Sequence, residues 1–78
     1  MTDEQRQLLK QRLKVHRWKL YHLADRASIT HPYLSCIIRN KVDASQPIKI
    51  LLSLCASEMT GFPYNPSDFD ITTTSTDN

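Results

Sequence analysis

Leu23-Ala24-Asp25-Arg26-Ala27-Ser28-Ile29-Thr30-His31-Pro32-Tyr33-Leu34-Ser35-Cys36-Ile37-Ile38-Arg39 is the stretch that decides how this chain is read. Apolar residues at Leu20, Leu23, Ala24 and Ala27 follow the i, i+3, i+4, i+7 spacing of a helix with one buried face, and the pattern resumes at Leu34, Ile37 and Ile38. Between them Ser28-Ile29-Thr30 turns the chain. Thr30 suits an N-cap because its hydroxyl accepts from an otherwise unpaired backbone N–H, and Pro32 falls in the first turn, where a missing N–H costs little. The spacing predicts a short helix to Ala27, a corner, and a second short helix from His31 to Arg39.

Upstream, residues 2–16 read as the first helix. Thr2 and Gln5 have capping-box spacing, and Asp3 and Glu4 suit the positive end of the helix dipole. Leu9, Leu13 and His16 share one arc, with His16 expected to be partly buried, while Arg6, Lys10, Lys14 and Arg17 cluster on a neighbouring arc of about 80°. That basic stripe is either a solvated face or a set of phosphate contacts. Trp18 is expected to plug the core at the junction with the second helix, which starts at Lys19 or Leu20 and turns Tyr21, His22, Asp25 and Arg26 outward.

Downstream, Asn40 to Ser45 is a short polar connection in which Asn40 can take the left-handed conformation that ends a helix and Ser45 can cap the next. Pro47 opens a fourth helix with an expected core stripe of Ile48, Leu51, Leu52, Cys55 and Met59. Ile50 and Leu54 point away from that stripe, so either Phe62, Tyr64 and Phe69 or a second protein subunit must cover them. Gly61-Phe62-Pro63-Tyr64 reads as a turn, and Asn65-Pro66-Ser67-Asp68-Phe69 as one more helical turn that docks Phe69. Residues 1–69 are expected to form one domain, and 70–78 a disordered polar tail.

Size and composition agree. Seventy-eight residues support one domain with a small core, and one glycine, four prolines and abundant Leu, Lys, Arg and Gln favour an all-α fold. All ten Lys and Arg lie within residues 1–50 against four acids, a net +6, while residues 51–78 carry four acids and no base, a net −4. The basic half is the expected partner-facing half. Two cysteines without a signal peptide suggest a reducing cytoplasm, and no apolar run reaches the roughly 18 to 20 residues of a membrane span. His16, His22, His31, Cys36 and Cys55 show no zinc spacing, and neither a Gly-rich phosphate loop nor paired catalytic carboxylates occur. Neither an enzyme nor a metal or other cofactor is expected. Cys55 is read as a buried thiol and Cys36 as an exposed one.

The run Leu23-Ala24-x-x-Ala27-x-Ile29-Thr30-x-x-Tyr33-Leu34-Ser35-x-Ile37, followed by Asn40-Lys41 and the apolar fourth helix, resembles the helix-turn-helix of the lambda-repressor and Cro-like (XRE-type) family. The resemblance covers residues 5–60 and implies a compact five-helix DNA-binding domain with the motif at helices 2 and 3. It further implies a phage or bacterial transcriptional regulator, a repressor or Cro-like switch, whose third helix enters the major groove of double-stranded DNA, as a homodimer on paired half-sites. Carried over by position, His31, Pro32, Tyr33, Ser35, Cys36 and Arg39 would read bases, and Lys14, Arg17, Lys19 and Lys41 would hold phosphates. Ser28 stands where the family usually has Gly and must take or avoid a positive φ. Leu20 stands where the family usually has Gln, and with Pro32 and the spare Ile50/Leu54 face this motivates a second reading. On that reading the same fold is a protein-interaction module, such as a modulator of a repressor, an anti-repressor or an antitoxin.

Overall fold

The computed structural model describes residues 1–71. The expected tail beyond Ile71 lies outside the described residues. Four α-helices follow one another: α1 (Asp3–Val15), α2 (Leu20–Arg26), α3 (His31–Ile38) and α4 (Gln46–Thr60). The expected fifth helix is a single 3-10 turn, Pro66–Phe69, so the all-α fold has four α-helices rather than five. No strand occurs among the described residues.

The helix starts follow from local chemistry. The Gln5 N–H donates to Thr2 Oγ1 at 3.1 Å while the Thr2 N–H donates to Gln5 Oε1 at 2.8 Å, a complete capping box. At α3 the Tyr33 N–H donates to Thr30 Oγ1 at 3.2 Å. Ser45 holds the N-cap position of α4, but its side chain makes no capping bond.

Three helix ends share one device. Trp18 N–H reaches Leu13 O at 2.9 Å, Ile29 N–H reaches Ala24 O at 2.9 Å, and Lys41 N–H reaches Cys36 O at 2.9 Å. These six-to-one bonds define Schellman ends, each needing a left-handed residue just before the donor. Arg17 (φ 62°), Ser28 (φ 58°) and Asn40 (φ 64°) occupy those places, and only at the end of α4 does a glycine, Gly61 (φ 75°), take the left-handed position. Asn40 meets its expectation and Ser28 takes rather than avoids the positive φ, whereas nothing in the spacing marked Arg17.

Leu9, Leu13, Leu23, Ala24, Ala27, Leu34, Ile37, Ile38, Leu52, Ala56, Met59 and Phe69 form the core, which Met1 closes at one end. Trp18 is only half-buried, its ring packing against the core edge. His16 follows the last turn of α1 and is exposed, because the helix stops at Val15 before its side chain returns to the buried arc.

The largest departure from expectation is in α4, whose buried arc runs through Lys49, Leu52, Ser53, Ala56, Met59 and Thr60. This is about a quarter turn from the stripe predicted by apolar spacing. The small residues Ser53 and Ala56 face inward where the Pro66–Phe69 turn packs on α4, and Phe69 is 1% exposed. Lys49 reaches out of that arc to Asp43 at 3.0 Å and Asp70 at 2.6 Å. Leu51, expected inside, is therefore 39% exposed, and Cys55 and Ile48 are only partly buried. Burial, and secondarily Glu58, raises the Cys55 thiol pKa, with Arg26 opposing.

A polar knot joins the N-terminus to the end of α3. The Met1 amine donates to Asn40 Oδ1 at 2.9 Å, and Asn40 Nδ2 returns a bond to Met1 O at 2.8 Å. Arg6 donates to Ile38 O at 3.2 Å and pairs with Asp3. Arg6 is thus half-buried and structural, and the outward basic stripe of α1 begins at Lys10.

Candidate nucleic-acid interface

Helices α2 and α3 pack across a corner, Ala27 to Thr30, whose tightness depends on left-handed Ser28. Leu34, Ile37 and Ile38 anchor α3 from below, leaving His31, Pro32 and Arg39 exposed. Tyr33, Ser35 and Cys36 are half-buried, and Tyr33 packs against the core. Ser35 and Cys36 were expected on the fully outward face. Both are short side chains flanked at helical spacing by Pro32 and Arg39, which stand above them. No Asp or Glu occurs between Arg26 and Asp43, so the α3 surface carries only neutral and basic side chains.

At the α1–α2 junction, the last turns of α1 and the start of α2 line an open groove of about 550 Å³ formed by Lys10, Lys14, Arg17, Trp18, Lys19 and Leu20. All four cations are exposed. Lys14, Arg17 and Lys19 are candidates from sequence, here gathered into one groove with Lys10. Left-handed Arg17 makes this possible by turning the chain sharply between the two helices. Lys41 is also exposed, beyond the far end of α3.

An aromatic line that spacing alone did not reveal links the groove to α3. Trp18 meets His22 edge-on with ring centroids 5.2 Å apart, His22 meets Tyr21 at 4.3 Å, and Tyr21 meets His31 edge-on at 6.5 Å. The Arg26 guanidinium lies 5.4 Å from the Trp18 ring centre. Tyr21 is exposed as the helical period predicts, whereas His22, expected outward, is half-buried between Trp18 and Tyr21, and their pairing with residues before and after α2 is a tertiary fact.

The second candidate surface lies on α4. Ile50 is 43% exposed, Leu51 39% and Leu54 63%. The tail aromatics do not cover them. Phe62 instead packs under Arg12, whose guanidinium carbon is 3.9 Å from the ring centre, and Tyr64 and Phe69 pair with each other at 6.3 Å.

Among the described residues no three His, Cys, Asp or Glu side chains converge as metal ligands, and no helix is long and apolar enough to cross a membrane. Comparison with protein-family models, curated proteins and solved structures finds no match to this chain.

Proposed function

We propose that this chain is a sequence-specific DNA-binding regulator of the lambda-repressor and Cro-like type, acting in the cytoplasm on the nucleoid as a repressor or switch. The carrying observation is the acid-free α3 surface together with the four-cation groove at the α1–α2 junction. On this reading the pair is a helix-turn-helix. α3, about 12 Å long by its eight residues, enters a major groove of similar width. His31, Pro32 and Arg39 are its foremost base contacts, with Tyr33, Ser35 and Cys36 seated deeper. Arg39 supplies a forked donor that fits guanine O6 and N7, and Lys10, Lys14, Arg17, Lys19 and Lys41 hold phosphates.

Selection from a random oligonucleotide pool, followed by titration of the recovered duplex at several salt concentrations, tests the reading. Arg39→Ala should lose about tenfold or more on the selected site, as one good bidentate contact implies. Lys14→Gln and Lys19→Gln should weaken binding to all sequences and each lower the salt slope by about one. A chain that enriches no sequence and binds no duplex at low salt is not such a regulator.

A second reading, a protein-interaction module on the same fold, is favoured by the exposed apolar residues on the outward face of α4. On it Ile50, Leu51 and Leu54 seat a protein, either a second copy or a regulatory partner. Ile50→Lys with Leu54→Lys would then abolish the complex in sedimentation or pull-down measurements while leaving the thermal transition nearly unchanged. An unaltered complex excludes that face.

A further inference from the structure

The aromatic line contains a hydrogen bond that only one protonation state can make. His22 is the third residue of α2, and its Nδ1 accepts the backbone N–H of Lys19 at 2.9 Å. That ring nitrogen must be bare to accept, so the proton of the neutral ring is on Nε2. The geometry is the reverse half of a capping box, with histidine in the role usually taken by Glu or Gln. The other half is missing, because Lys19 at the cap has no side-chain acceptor. The same ring is held by Trp18 on one side and by Tyr21 on the other, and Tyr21 in turn meets His31, the first residue of α3.

We propose that His22 is a proton-operated clasp that holds the first turn of α2 and, through Tyr21, sets the position of the first turn of α3. Imidazole changes charge between pH 5 and 8. Protonation places a second N–H on Nδ1, directed at the Lys19 N–H. The bond is lost, two donors oppose each other, and the ring turns out of its seat between Trp18 and Tyr21. The surrounding charged and titratable groups are Tyr21, Asp25 and Arg26 on α2, and Lys14, Arg17 and Lys19 from α1 and the connection after it. His31 lies across from α3, and Glu58 on α4 pairs with Arg26 at 3.6 Å. The clasp does not depend on what the α3 face binds. If that face binds DNA, affinity acquires a pH dependence that runs through residue 22.

The test uses the full chain in three forms: unaltered, His22→Glu and His22→Gln. Glu and Gln both offer an acceptor at this position, and neither changes charge between pH 8 and 5.5. Long-range nitrogen–proton spectra at pH 8 should show His22 protonated on Nε2. From pH 8 to 5.5 the unfolding equilibrium constant of the unaltered chain should rise about fivefold relative to either variant, the usual effect of losing one cap. In the unaltered chain the backbone amides of Thr30, His31 and Tyr33 should move between pH 8 and 5.5 by more than they do in either variant, where the imidazole of His31 is still present. A proton on Nδ1 at pH 8, equal pH dependence in all three chains, or amides that move alike in all three overturns the proposal. Failure to bind DNA would sink the functional reading and leave this result standing.

Discussion

Arg17, Ser28 and Asn40 have nearly the same left-handed backbone but different reasons to keep their side chains. The left-handed region costs an ordinary L-residue roughly 1 to 2 kcal/mol, and glycine escapes that cost while adding freedom to the unfolded chain. Exposed Ser28 has no side-chain partner among the described residues, so Ser28→Gly should raise stability by about 0.5 to 1 kcal/mol in urea unfolding. Asn40 tolerates the conformation better and makes two bonds to Met1, one with a charged amine, so Asn40→Gly should lower stability by about 1 to 3 kcal/mol. Arg17→Gly should behave like Ser28→Gly in unfolding, yet, if the groove holds phosphates, only the Arg17 change should weaken DNA binding. Equal effects of the two changes on DNA affinity would remove Arg17 from the interface.

Helix α3 was legible from its ends inward, because Thr30, Pro32 and Asn40 declare start and stop by local chemistry. Thr30→Ala should therefore cost about 1 kcal/mol in thermal or urea unfolding, with the loss confined to that cap. The end of α1 was not legible, since arginine gives no hint of a left-handed turn. Nor was the face of α4. A period of 3.6 residues identifies apolar arcs, but which arc is covered depends on the Pro66–Phe69 turn, which packs on α4 and buries Phe69. The same long-range packing left Ile50 and Leu54 bare, while the left-handed turn at Arg17 gathered Lys10, Lys14, Arg17 and Lys19 into one groove. Of the candidate site, the exposure of His31, Pro32 and Arg39 could be read from spacing, whereas the half-burial of Ser35 and Cys36 could not. The groove and the aromatic line needed the fold.

At the scale of the molecule, Met1, Asp70 and the α3–α4 connection meet around Lys49 and Asn40. Bonds from Lys49 to Asp70 and then Asp43 raise the lysine pKa against the opposing effect of burial. An ammonium with a raised folded-state pKa adds stability that is fully present below the unfolded value of about 10.4 and disappears as pH rises through the folded value. The unaltered chain should thus lose more stability than Lys49→Met between pH 9 and strongly alkaline solution, measured as the difference between their urea midpoints. Parallel pH profiles would show that the bridge to Asp43 and Asp70 adds nothing. Acid titration of the Met1 amine works the other way. Desolvation first, then Arg6, lowers its pKa despite the pull of Asp70, so charging that amine is a cost of folding below its folded value.

With seven and eight residues, α2 and α3 are each too short to persist as isolated helices, for which about 12 to 15 residues are marginal. Their outward surface exists only while the whole core is intact. A protease that cuts there must wait for the pair to open, so a ligand held across the corner would lengthen the chain's lifetime by suppressing that opening. Occupancy and turnover would then be one quantity: an idle copy is degraded at the rate its core allows, and an engaged copy is spared.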